Sequence, residues 1–348
     1  MRPDRLLVIR NDKLGDFMLA WPAFALLRRQ YPDTTLVALV PHYTAPLAEL
    51  CPSIDKIIID DQRGSAVSDA IHLTRKIRAA GIDASVSFFS EFRTALALWL
   101  ARVPTRAAPA TKLAQLFHNK RLSQKRSLSA KPEFEYNVDL ARYFIELNGN
   151  TPKPCPRPPY LELDTDTVSA LRDHYCAEHG IDPATMLVFI HAGSGGSAVN
   201  LSLEQFAAIA TFISDRLGAH LVLTAGPDEL DNATRLAAML PAASRSVYHS
   251  TDGLVAFTHF IGICDAFISG STGPLHIAGA LNKATIAFYP ARRSATSLRW
   301  QTLSEDRKRL AFMPERYLGE TDSLAIDIDA CTVAIESFLR SQQAGAQR

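Results

Sequence analysis

The chain predicts an α/β protein built from two doubly wound parallel-sheet lobes. Short apolar runs alternate with helix-type stretches over the first 90 residues. The same rhythm resumes beyond residue 162, and a proline-dense segment separates the two halves. Alternation of this kind yields right-handed βαβ units and a parallel sheet. At 348 residues the chain exceeds one ordinary domain and suits two.

Taken in order, residues 6–9, 36–40, 56–59 and 85–88 are short and rich in Val, Ile, Leu or Phe, and read as strands. Residues 18–30 and 67–80 carry apolar side chains at helical spacing. Residues 111–131 are polar and basic, which predicts a mobile loop or a loosely packed helix. An amphipathic helix follows over 136–147, closed by Asn148-Gly149-Asn150. Residues 151–159 hold five prolines in nine positions, a density that forbids helix and favours a stiff extended linker. Strands are then expected over 187–190, 221–224, 266–269 and 285–289, and helices over 203–217, 229–240, 254–261 and 274–281. The expected division is a first lobe over 1–150, a linker over 151–162, a second lobe over 163–327 and a terminal segment over 328–348. That segment opens with a helix over 328–342, placed to pack back on the first lobe, and ends in a disordered tail from 344.

Composition narrows the class. Five cysteines are dispersed without a CxxC pair, which argues against a disulfide framework and a zinc site. No run approaches the roughly 18 apolar residues of a membrane span, and Asp12, Lys13 and Asp16 interrupt any apolar stretch near the N-terminus. A cytoplasmic protein is expected. The net charge of +1 hides an asymmetry, because no acidic residue lies between Glu91 and Glu133 while nine lysines and arginines do. A basic surface of that kind favours an anionic partner, either a phosphorylated glycolipid or an anionic membrane. Aromatic residues able to stack bases are sparse there, so nucleic acid is not expected.

Three strand-to-helix junctions carry the chemistry. Phe189 to Gly196 and Ser269 to His276 are glycine- and hydroxyl-rich turns, each a phosphate cradle by virtue of its backbone N–H groups. Ser194, Gly195, Gly196 and Ser197 suit diphosphate contact, or form an ordinary tight turn. Ser271, Thr272 and Gly273 precede Pro274, so Thr272 is also a natural N-cap. His276 lies a short way into the same helix, as a ligand contact or a packed histidine. Glu229, just past another strand end, suits ribose hydroxyls or the first turn of a helix. In the first lobe, Asp16 follows Gly15 where strand hands over to helix, as a general base or as a helix cap. Arg10 at the strand end binds an anion or neutralises Asp12 and Asp16. Asp12 and Lys13 read as solvated loop. No GxGxxG with a following acid, no GxxxxGK[ST], no GxSxG and no metal-spaced histidine pair is present. Dehydrogenase, P-loop, α/β-hydrolase and zinc-enzyme readings are thereby excluded.

Leu6 to Asp16 followed by Trp21-Pro22-Ala23, His191 to Ser197, Leu223 to Pro227 and Ser271 to His276 form an ordered set. Together they resemble the glycosyltransferase family 9 heptosyltransferases, inverting enzymes of the GT-B fold with two Rossmann-like lobes around a cleft. The resemblance implies transfer of heptose from ADP-heptose to a lipopolysaccharide core hydroxyl, with Asp16 as base. It implies no cofactor and no required metal. Ser194 to Ser197, Ser271 to Gly273 and His276 would attend the diphosphate and Glu229 the ribose. Arg10, Lys13, Lys120 and Arg121 would meet an anionic lipid A–Kdo acceptor at the inner membrane face. Two positions depart from the pattern: Val199-Asn200 stands where the family often has lysine, and Ser271 where it usually has aspartate. A same-fold transferase with another donor, a non-catalytic sugar-nucleotide or glycolipid binder, and a sugar-nucleotide epimerase are the rival readings.

Overall fold

A computed structural model describes residues 2–62, 64–193, 199–316 and 323–346. The chain divides into two compact units, Met1–Tyr160 and Leu161–Arg348.

The first unit contains strands β1 (Arg5–Ile9), β2 (Thr35–Val40), β3 (Lys56–Ile59), β4 (Ala84–Ser87), β5 (Thr105–Pro109) and β6 (Lys120–Leu122). Its helices are α1 (Leu14–Met18), α2 (Trp21–Gln30), α3 (Ala45–Glu49), α4 (Ala66–Ala79), α5 (Phe92–Leu100) and α6 (Glu133–Leu147). All strand pairs are parallel, in the order β3-β2-β1-β4-β5-β6. Leu6, Leu7, Val8 and Ile9 are wholly buried because β1 is covered on both faces, which explains its unbroken apolar run. Leu7, Ile9, Val37 and Leu39 pack on one side against Leu73 and Ile77 of α4 and Leu98 of α5. The other side carries edge-to-face contacts linking Phe17, Trp21, Phe24 and Phe88. Each such buried side chain contributes roughly 1.5–3 kcal/mol.

The second unit repeats the plan. It contains α7 (Thr165–His179), β7 (Leu187–His191), α8 (Leu203–Leu217), β8 (His220–Ala225), α9 (Leu230–Ala238) and β9 (Arg245–His249). It continues with α10 (Gly253–Gly262), β10 (Ala266–Gly270), α11 (Gly273–Ala280), β11 (Ala284–Phe288), β12 (Arg309–Phe312) and α12 (Ile328–Ala346). Its parallel order, β12-β11-β10-β7-β8-β9, is the first sheet's order read from the other edge. In each sheet the order reverses beside the first strand, between β1 and β4 and between β7 and β10. Ligands bind at such switch points, beyond the carboxyl ends of the strands. Helix α8 spans the predicted residues because a Ser202–Gln205 capping box starts it and Gly218, at φ +62°, ends it.

Three expectations are corrected. The helix expected over 18–30 is two helices, because Pro22 in the first turn of α2 lacks an N–H and starts a new helix. Residues 111–131 are neither simple loop nor helix: a 3₁₀ turn, Leu113–Phe117, leads into β6, a charged edge strand. Helix α12 extends into the tail expected to be disordered. Its buried Cys331, Ile335 and Leu339 join the second unit's core beside α8.

Candidate active site

Beyond the end of β1 the first unit gathers its charged side chains. Arg10, 3% exposed, donates from Nε to Asp12 at 2.9 Å and from Nη1 to Glu133 at 3.1 Å, and pairs through Nη2 with Asp16. The carbonyl of Phe88, at the end of β4, accepts from Arg10 at 3.5 Å and from Arg126 at 3.2 Å. Arg126 also donates to Glu133 at 2.7 Å. Asn137 of α6 approaches Arg10 at 3.4 Å and donates to the Leu19 carbonyl at 3.0 Å. The switch point between β1 and β4 is thus filled by one guanidinium holding three carboxylates. Burial works against charge on Arg10, but Asp16, Asp12 and Glu133 outweigh it and raise its pKa. Asp12 moves the opposite way for a carboxyl. Burial pushes it up to about 7, with Arg10 opposing the rise and Asp16 adding to it.

Of the two expectations for Arg10, an acceptor anion or neutralisation of Asp12 and Asp16, the structure shows the second, with Glu133 added to the set. Asp12, expected to be solvated loop, belongs to the cluster. Lys13 is exposed at the N-cap of α1. Lys120 and Arg121 are exposed on β6, three strands from β1, so the four expected acceptor contacts are not one cluster. Glu133 and Asn137 were not anticipated. Their one signal in the sequence is that Glu133 is the first carboxylate after a long basic stretch.

The second unit builds its turns around side chains that face one another at the strand ends. Glu229, at the N-cap of α9, accepts from the Gly226 N–H at 3.1 Å and lies 3.3 Å from Nε2 of the buried His191. Nδ1 of His191 is 3.1 Å from both the carbonyl and the hydroxyl of Thr224. A Cβ on Gly193 would stand 2.2 Å from the Glu229 carboxylate, so only glycine allows this approach. Asn200 donates to the carbonyls of Ala192 at 3.2 Å and Gly193 at 3.4 Å, and its amide fills the space a Gly270 Cβ would need. The β7 and β10 turns are thereby joined.

Thr272 stands at the N-cap of α11, but its hydroxyl lies 3.0 Å from Ser269, which itself donates to the His191 carbonyl at 2.8 Å. No side-chain cap bond serves α11 among the described residues, and a helix start of this kind offers N–H groups to an anion. Ser271 and Gly273 are half-buried beside Thr272. His276 is buried, and burial lowers its pKa to about 4, favouring the neutral ring. Val199 packs on the second unit's apolar core, which accounts for an apolar side chain there. Ser194, Gly195, Gly196 and Ser197 lie outside the described residues.

Two doubly wound parallel-sheet units of this kind are the building plan of the GT-B fold. A family model described as Glycosyltransferase family 9 (heptosyltransferase) matches residues 70–310. A candidate glycosyltransferase of Haemophilus influenzae is 42% identical over 97% of each chain. Lipopolysaccharide heptosyltransferase 2 of Escherichia coli is 19% identical over 82% of each chain. The chain belongs to glycosyltransferase family 9 and is a transferase. Among solved structures, a family 9 transferase from Veillonella parvula superposes with a TM-score of 0.78 at 19% identity, covering 97% of each chain. The ADP-heptose heptosyltransferase II of E. coli superposes with 0.76 at 18%, covering 97% of this chain and 99% of that one. Both share its fold.

Proposed function

We propose that the protein transfers heptose, with inversion, from ADP-heptose to a hydroxyl of an anionic lipopolysaccharide core acceptor presented at the membrane surface, with Asp16 as general base. The observation that carries this reading is the Asp16 carboxylate, held at the end of the central strand by a buried guanidinium. One Asp16 oxygen meets Arg10; the other, without a hydrogen-bond partner among the described residues, would accept the proton of the acceptor hydroxyl. The acceptor's oxygen attacks the anomeric carbon as the bond to the diphosphate breaks, its proton passes to Asp16, and ADP departs with the electron pair. Arg10 acts through Asp16, aiming the carboxylate, while Glu133, itself fixed by Arg126, holds Arg10. In the second unit, Glu229 would accept from the ribose, and the first N–H groups of α11 would face the diphosphate, stabilising the charge that grows as ADP leaves. No resident cofactor is invoked.

The test is mass spectrometry of Kdo-lipid A, and of the same acceptor already bearing one heptose, after incubation with the protein and ADP-heptose. A gain of one heptose on either, absent in Asp16→Asn although that variant binds donor, is the expected result. Equal turnover by Asp16→Asn removes Asp16 as base. Val199, apolar where the family often has lysine, favours a second reading in which another nucleotide sugar is the donor. Product formed only with a different sugar in a donor panel would establish it.

A further inference from the structure

The basic stretch of the first unit sorts itself by burial. Arg93 is buried on Asp60, with two bonds of 2.5 Å, and Arg126 and Lys131 pair with Glu133 and Asp139. Arg102, Lys112, Lys120, Arg121 and Lys125 remain exposed, with no carboxylate partner among the described residues. Beside them is a group of exposed apolar side chains. Leu113 is 75% and Leu116 72% exposed. In a 3₁₀ turn residues three apart eclipse, so both leucines project on one side. The turn packs against α5, where Phe117 meets Phe92 at 5.4 Å and Trp99 at 5.9 Å, edge to face. Phe92 and Trp99 are themselves about half exposed. Exposed apolar side chains gathered on one face mark an interaction surface.

Strand register shows which cations share this face. Leu7, on the α4–α5 side, pairs with Ser85, and Ser85 with Arg106. Ala108, two residues on, points the same way and pairs with Arg121. Arg121 therefore borders the apolar group from the edge strand, as Lys112 does from the start of the 3₁₀ turn. Lys120 points to the other side.

We infer that the face formed by α5 and the Leu113–Phe117 turn is where the protein rests on an anionic lipid bilayer. Leu113 and Leu116 enter the acyl boundary, Trp99 lies at headgroup depth, and Lys112 and Arg121 meet lipid phosphates. Charge decides against a second copy on this face: a two-fold contact would bring the same cations together with no carboxylate between Glu91 and Glu133 to offset them. In its purpose the inference rests on the proposed reaction, whose acceptor is membrane-borne. The binding itself needs no sugar.

The experiment is co-sedimentation of the full chain with vesicles of phosphatidylethanolamine and phosphatidylglycerol, without donor or acceptor, against vesicles of phosphatidylcholine alone. Binding to the anionic vesicles is expected to be at least about tenfold stronger and to weaken with added salt. Leu113→Ser/Leu116→Ser and Lys112→Glu/Arg121→Glu are each expected to lose about tenfold or more in partition, with circular dichroism unchanged. The leucine pair should still act on a detergent-dispersed acceptor. Equal partition of the leucine pair and the parent chain overturns the inference. So does a lipid-free dimer in analytical ultracentrifugation that the leucine pair dissolves, since a second copy would then cover the face. Absence of transfer to any dispersed acceptor counts against the proposed reaction and leaves the vesicle result standing.

Discussion

Around Arg10 three carboxylates compete for one guanidinium and its neighbour Arg126, and Asp12 relieves the surplus negative charge. Burial lifts its pKa from 3.8 to about 7, against the pull of Arg10 and with the help of Asp16. The folded protein therefore holds a proton that the unfolded chain releases above pH 4. The resulting stabilisation is complete below about pH 4 and is lost as pH rises through about 7. Asp12→Asn cannot release that proton. Between pH 5 and pH 8 the parent chain is expected to lose about 1–3 kcal/mol more stability than the variant, read from urea melts. Parallel pH profiles would show Asp12 ionised throughout. Asp60 presents the opposite case, a buried carboxylate fully paired by Arg93 and Asn11. Arg93→Leu leaves it without its cation, at an expected cost of about 3–5 kcal/mol. A loss below about 1 kcal/mol would mean that water or another donor reaches Asp60.

At the level of elements, the turns beyond β7, β8 and β10 work as one piece because Glu229, Asn200 and Ser269 tie them together. Gly193→Ala tests this. Its Cβ meets only the end of the Glu229 side chain, which can swing away. Folding stability should hold while affinity for ADP-heptose falls about tenfold in titration calorimetry, roughly 1.4 kcal/mol. Unchanged affinity would show that the position of Glu229 is immaterial to the donor. The same turns mark how far the sequence is legible. Continuous apolar runs such as Leu6 to Ile9 announce strands covered on both faces, and local caps such as Ser202–Gln205 bound helices closely. Edge strand β6 carries no such run, because Lys120 and Arg121 face solvent, and so it escapes a pattern search. Asp16 and Glu229 are visible because they follow apolar strands within a few residues. Glu133 and Asn137 are not, because their contacts with Arg10 are made by packing α6 against α2, which no local spacing encodes.

On the scale of the molecule, each unit has its own sheet, its own switch point and its own core. A ligand confined to one unit should stabilise that unit alone. In scanning calorimetry ADP, at 100 times its dissociation constant, is expected to add about 2.7 kcal/mol to the unfolding of Leu161–Arg348 and to leave the transition of Met1–Tyr160 in place. Two transitions that rise together would instead show that the units unfold as one.

Arg10 and Glu133 are separated by 123 residues of chain. A growing polypeptide that has emerged only as far as β6 already displays Arg10, Asp12 and Asp16, yet lacks the carboxylate and the amide that complete their arrangement. Closing so long a loop is entropically slow, and domains fold from the N-terminus as synthesis proceeds. The cluster thus joins its halves only after α6 has left the ribosome, and an unfinished first unit carries Arg10, Asp12 and Asp16 without the Glu133 and Asn137 contacts that complete it.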